Sequence, residues 1–309
     1  MKQGALLVCA GAAVIGALVV ALVMHNRIAH APVAMVEAVT AEYGQHLIRN
    51  TALELGSGQS DPARRFTGNN LACASCHLDS GQMPGMLSLM QAASKYPAFS
   101  KRDGAEADLA DRINGCMQRS MNGRPLDKDS VPMRAMVTYI EELGRRYEAM
   151  SESQRGGAEP AGFVEPARKA NLEQGANVFR NRCMVCHGQN GEGLKATADL
   201  AHGYLFPPLW GTDTYNSGAG MARVLTAARF IKARMPLGQP TLSDDEAFDV
   251  AAYINVQQRP GMANLEKDYP DLKGKPVDST YPPYADPFSA EQHRLGPFAP
   301  IREFYKKAE

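Results

Sequence analysis

Apolar residues recur at helical spacing in several stretches of this chain, and polar, glycine-rich or proline-rich stretches separate them. In LSDDEAFDVAAYINV (242–256), Ser243 stands three residues before Glu246. That pairing caps a helix start, and an amphipathic run follows it. DSVPMRAMVTYIEELG (129–144) matches: Asp129 or Ser130 begins it, Pro132 falls in the first turn, and a helix is expected to Leu143. Tyr139 and Tyr253 occupy equivalent places in the two. NLEQGANVFRNRCMVCH (171–187) places Leu172, Ala176, Phe179 and Cys183 on one helical face. A further helix is expected over Met221 to Lys232. ARRFTGNNLACASCH (63–77) is broken by glycine and predicts a loop with a short helix. RINGCMQRSMNG (112–123) fits either a helix or a loop. The pattern is that of an all-α chain.

One apolar run is of another kind. Lys2 precedes twenty uncharged, mostly apolar residues, Ala5 to Met24, and Arg27 follows. Residues 1–31 therefore read as an export signal, which puts the rest of the chain across the membrane, in the periplasm. Two fates are open. The run is long enough to span a bilayer as an anchor. It could also be cleaved at Ala29-His30-Ala31, although Pro32 hinders that site. Cys9, inside the run, reads as a small apolar residue.

Composition narrows the class. The 309 residues are 44% hydrophobic and 21% charged, with a formal net charge of zero. Setting aside Lys2 and Arg27 leaves 31 cations against 33 anions. Nucleic-acid binding usually shows a basic surplus, so no nucleic-acid partner is expected. SESQRGGAEPAGFVE reads as a linker at 151–165. From about residue 263 to 309 the chain is rich in Pro and Tyr without a helical or strand period, an irregular C-terminal extension.

The cysteines carry the chemistry. CASCH (Cys73, Cys76, His77) and CMVCH (Cys183, Cys186, His187) lie 110 residues apart. C-x-x-C-H is the attachment signal for c-type haem. Two thiols one helical turn apart reach the vinyl groups on one porphyrin edge, and the adjacent histidine serves as proximal ligand. Two copies imply two covalently bound haem c groups. With the repeated flanking helices, this resembles the class I cytochrome c fold twice over: residues 32–150 around one haem, 166–262 around the other.

The far side of each iron has several candidates. Met235, in ARMPLG, stands 48 residues after His187 and just before the last helix. Met221 and Met262 compete less well, and Lys232 is an alternative or switching ligand. In the first domain, Met121 lies 18 residues before Tyr139 as Met235 lies 18 before Tyr253, so the repeat selects Met121. Cys116 lies five residues earlier and is left over from the motifs. Its thiolate would be stabilised by Arg112 four residues before and Arg119 three after. In a helix, Arg112, Cys116 and Ser120 share one face. Periodicity leaves Met121 and Cys116 both open. His46, His202 and His293 read as loop or surface histidines.

CASCHLDSGQMP, YPAFSKRDG, LADRINGCMQRSMNGRPL and MRAMVTYI closely resemble the catalytic domain of the dihaem c-type cytochrome thiosulfate dehydrogenases. The resemblance covers roughly residues 45–260, and RINGCMQRSMNG is its most specific part. It implies a periplasmic oxidoreductase that couples two thiosulfates into tetrathionate or runs the reverse, handing electrons to an external acceptor such as a small cytochrome. It further implies Cys116 as the distal ligand and catalytic sulfur of the first haem, with Arg102, Arg112 and Ser120 lining the substrate site. Some family members carry Lys beside the Met at the second haem and exchange the two ligands. Arg234 stands there in this sequence, so His187 and Met235 are the expected pair. The rival reading is a plain dihaem electron carrier, in which Met121 would ligate.

Overall fold

Two helix crossings organise the fold, and each is made possible by a glycine. The computed structural model describes residues 37–156 and 162–307. The apolar run Ala5–Met24 and the signal reading lie outside them. In the first half, α1 (Ala41–Arg49) and α2 (Thr51–Leu55) lead through the first cysteine motif to a short antiparallel ribbon, β1 (Ala98–Ser100) with β2 (Ala105–Ala107). Helices α3 (Leu109–Arg119), α4 (Val131–Ala149) and α5 (Glu152–Gly156) follow. Gly44 of α1 faces α4 so closely that a Cβ there would collide with the Ala135 carbonyl and the Tyr139 side chain.

The second half repeats the device. Helix α6 (Leu172–Val178) runs through a π turn, Phe179–Cys183, into α7 (Met184–His187). A ribbon of β3 (Leu194–Lys195) with β4 (Tyr204–Phe206) precedes α8 (Val224–Arg234) and α9 (Asp244–Val256). Gly175 of α6 meets the Asp249 carbonyl and the Tyr253 Cβ. Tyr139 and Tyr253 thus mark the same crossing in both domains.

Local sequence accounts for the helix starts. Ser243 and Glu246 exchange capping hydrogen bonds at 3.1 and 2.8 Å. Ser130 caps α4, which runs to Ala149, past the expected end at Leu143. Asp108 caps α3 by accepting from the Asp111 N–H at 2.8 Å, and RINGCMQR is helix. The first core gathers Tyr43, Leu47, Met117, Met133, Met136 and Leu143. The second gathers Phe179, Val224, Ala228, Phe248 and Ile254.

The C-terminal extension departs from the irregular coil expected of it. It ends in α10 (Ala290–Leu295) and α11 (Ala299–Lys307), and Leu295, Phe298 and Ile301 complete the second core. His293, expected in a loop or at the surface, is buried on α10. Its ring bonds the Val277 carbonyl at 2.8 Å and Asp286 at 3.0 Å. Proline punctuation hid these short helices from a periodicity reading. Among the described residues, no helix is long and apolar enough to cross a membrane.

Candidate functional site

The first motif sits where α1, α3 and α4 converge. Cys73 and Cys76 occupy a short 3-10 turn, and His77 follows. The His77 Nδ1 is 2.7 Å from the Leu87 carbonyl, which accepts its proton and leaves Nε2 for a metal. Across from it lies α3. Arg112 Nη1 donates to the Cys116 sulfur at 3.0 Å, and the thiol is within hydrogen-bonding reach of His77. A cavity of about 180 Å³ takes in Cys73, Cys76, His77, Cys116, Arg112 and Ser120, with Arg102 at its side. The shared helical face of Arg112, Cys116 and Ser120 is therefore present, with Ser120 as the C-cap of α3.

The three thiols differ electrically. Burial pushes Cys73 up to about 11 and Cys76 up to about 12, so both stay protonated. Burial also acts on Cys116, but the Arg112 charge and then His77 outweigh it and bring the thiol down to about 6. Arg112 does this without Arg119. The Arg119 guanidinium points away, to Asp268 at 2.8 Å and the Gly218 carbonyl at 3.2 Å. The sequence places two cations around Cys116, and the structure leaves one. Met121, the competing residue, is 3% exposed in the first core and also borders the cavity. None of the five described cysteines is in a disulfide.

Outside this slot lies a second cavity of about 520 Å³, and Arg102 and Arg112 border both. Lys95, Lys101, Tyr96 and Tyr269 complete the basic side of its wall. Its carboxylates have local partners: Asp103 accepts from Ser100, and Asp111 pairs with Lys128 at 2.7 Å. Tyr96 lies against Arg112. Neither Tyr96 nor Tyr269 was singled out by the sequence. An aromatic beside a cis-proline or in a proline-rich tail carries no spacing signal.

The second motif is built alike. His187 Nδ1 is 2.8 Å from the Pro207 carbonyl, again leaving Nε2 free, and burial lowers its pKa so that the imidazole stays neutral. Burial pushes Cys183 up to about 11. Met235 is the C-cap of α8 and packs at the edge of the second core. Lys232, one turn earlier, donates to the Leu242 carbonyl at 2.8 Å and lies 3.5 Å from Asp244. Arg234 crosses to the first domain and donates to the Pro84 carbonyl.

Helix α8 stands between the two sites. Thr226, Arg229 and Ala233 border the cavities around His77 and Cys116, while Val224, Ala228 and Ile231 fill the second core. Each site thus offers two thiols and one imidazole with a fixed Nδ1, and the first adds the Cys116 sulfur opposite His77. That donor set fits haem c.

Comparisons with known proteins agree. The family model described as SoxA/TsdA, cytochrome c domain matches residues 63–148. The one described as cytochrome c oxidase, cbb3-type, subunit III matches residues 170–254. The chain is 41% identical over 209 residues to a thiosulfate dehydrogenase of Psychrobacter arcticus, covering 66% of this chain and 61% of that protein. It is 38% identical over 204 residues to one of Allochromatium vinosum, covering 63% and 72%. It is similar to a solved structure, thiosulfate dehydrogenase (TsdBA) from Marichromatium purpuratum in its as-isolated form, with a TM-score of 0.62 and 34% identity. That match covers 81% of this chain and 51% of the other. The chain thus spans about three fifths of the Psychrobacter protein and about half of the solved chain. Two cytochrome c domains imply haem c as the cofactor.

Proposed function

Because the chain belongs to the thiosulfate dehydrogenase family of c-type cytochromes, we propose that it oxidatively couples two thiosulfates into tetrathionate at Cys116. The observation that carries this is the Cys116 sulfur itself: held 3.0 Å from Arg112, facing His77, and bordering a cavity shared with Arg102 and Ser120. An electron carrier without a substrate needs no such thiolate.

In this reading Cys73, Cys76 and His77 would hold one covalent haem c, and Cys116 would be its further protein ligand. Cys183, Cys186, His187 and Met235 would hold the other. Met235 is preferred to Lys232 because the lysine amine is already engaged by Leu242 and Asp244. When bound, the haem groups supply one-electron acceptance, so that two electrons can leave the sulfur pair for an external redox protein.

The chain's own residues do the rest. Thiosulfate is a dianion, and two of them repel by about 3 kcal/mol per unit-charge pair at about 5 Å and an effective dielectric near 20. Arg102 and Arg112 offset this with paired guanidinium hydrogen bonds to sulfonate oxygens, and the Ser120 hydroxyl adds a donor. Cys116 is already a thiolate, so no base is required. Its sulfur bonds to the sulfane sulfur of one thiosulfate, two electrons leave, and Cys116 carries an S-thiosulfonate. The sulfane sulfur of a second thiosulfate attacks the sulfane sulfur bonded to Cys116. The bond to Cys116 breaks, the thiolate returns and tetrathionate departs. With electrons supplied, the same steps reverse and reduce tetrathionate. The apolar run Ala5–Met24 supports export, so the reaction is placed in the periplasm, with the N-terminus as its tether if it is retained.

The test is thiosulfate-dependent reduction of ferricyanide by the purified holoprotein, and tetrathionate reduction in the opposite direction. Cys116→Gly should lose turnover in both while retaining both haem groups. Near-normal tetrathionate formation by that variant sinks the reading. Electron paramagnetic resonance of the ferric protein adds a readout independent of turnover, because a His/thiolate iron differs from a His/Met iron.

A further inference from the structure

The C-terminal extension leaves the second domain and returns to the first, where it closes one side of the outer cavity. Tyr269 and Pro276 line that cavity together with Arg102 and Arg112. Three contacts fasten the segment there. Asp268, 8% exposed, accepts from Arg119 at 2.8 Å and from the Tyr281 hydroxyl at 2.6 Å. The Tyr269 N–H donates to the Arg102 carbonyl at 2.8 Å. Pro270 packs on Gly104, where a Cβ would come within 3.0 Å of the proline ring.

Tyr269 sits between these anchors with φ at +60°, a conformation a bulky side chain rarely adopts. Such a backbone persists only where its surroundings over-determine it, and it often marks a working position. The residue is 7% exposed, and its hydroxyl approaches the Arg102 guanidinium. Arg102 is itself largely buried, and its Nε has no partner.

The chemistry of that neighbour matters. A carboxylate beside Arg102 would orient the guanidinium and cancel its charge. A phenol oxygen accepts a guanidinium hydrogen bond and leaves the charge available. Asp268, the nearest carboxylate in the segment, is turned to Arg119 instead.

We propose that Tyr269 is a positioning residue: its hydroxyl orients Arg102 toward a sulfur-oxyanion dianion without neutralising it, which makes the C-terminal extension part of the substrate site. The inference rests on the thiosulfate reading of that site, and the test separates the two. Tyr269→Phe keeps the ring and the backbone bond to Arg102, Tyr269→Gln restores a neutral acceptor, and Tyr269→Glu adds a charge that cancels Arg102. Each is made in the full-length holoprotein. Three quantities are measured: haem content, the KM and kcat for thiosulfate, and the dissociation constant of sulfate for the ferric protein by calorimetry. Sulfate is a dianion that the protein cannot couple.

Tyr269→Phe should raise both the thiosulfate KM and the sulfate dissociation constant about tenfold, while kcat changes less than about twofold. Tyr269→Gln should recover most of that loss, and Tyr269→Glu should weaken sulfate by about a hundredfold with haem content intact. A sulfate affinity that is the same in wild type and Tyr269→Phe overturns the assignment. So does equal weakening by Phe and Glu, or a wild type that binds no sulfate. If the wild type oxidises no thiosulfate but the sulfate affinities follow the expected order, the thiosulfate reading falls and the role of Tyr269 stands.

Discussion

Arg112 and Cys116 are a matched pair one helical turn apart, and each explains the other. The guanidinium gains a charged neighbour that holds its own pKa above the ordinary value, and its positive charge in turn stabilises the thiolate. Arg112→Gln keeps a hydrogen-bond donor but removes the charge. It should lower kcat/KM for thiosulfate by about 100-fold, the scale of deleting one preorganised donor at a reacting centre, as read by steady-state kinetics with ferricyanide. This pair was legible in the sequence, because i, i+4 spacing is contained within five residues. Arg119 was not. It stands three residues from Cys116, yet its partner is Asp268, 149 residues away. No local pattern announces that pairing, so the cation next in sequence looked like a cation next in space. Tyr96 and Tyr269 escaped for the same reason.

Helix termini and helix crossings show the same division. The Ser243–Glu246 box and the Ser130 cap could be read directly, since each is contained within four residues. Helix α1 was missed. It lies upstream of the glycine-broken stretch searched for it, and its role becomes visible only through Gly44 against α4. Gly44→Ala should force the crossing apart and cost about 1–3 kcal/mol of stability, seen as a lower melting temperature of the holoprotein. The N-cap of α3 gives a pH-dependent prediction. The backbone N–H of Asp111, with smaller help from Lys128, holds the Asp108 carboxyl below the usual aspartate range. A depressed folded pKa stabilises above the unfolded value and loses that stabilisation as pH falls through the folded one. Asp108→Ala should therefore lower stability by about 1 kcal/mol at neutral pH. The gap between variant and wild type should shrink in denaturant titrations taken progressively below about pH 4.

At the scale of the whole molecule, the described residues from Glu37 onward form one compact unit with two main cores, and the junction between them is specific. The Arg119–Asp268 pair is about nine-tenths buried at both ends and ties the first domain to the extension. Removing the carboxylate leaves a buried charge unpaired, so Asp268→Ala should destabilise by about 3 kcal/mol. Thermal melts should drop by about 5 °C. The two-domain plan was legible because the haem motif occurs twice and its flanks repeat. The extension was not, since a segment that takes its order from tertiary contacts has no period of its own.

The shared helix α8 bears on ancestry. Its Thr226, Arg229 and Ala233 face the surroundings of Cys116, while its other side fills the second core. A lineage that exchanged the second cytochrome half for an unrelated one would also tear out a wall of the chemical half. The two modules are thus a single heritable part. Chimeras joined at the linker should fail to reconstitute thiosulfate turnover unless the donor supplies an α8 with the same outward face.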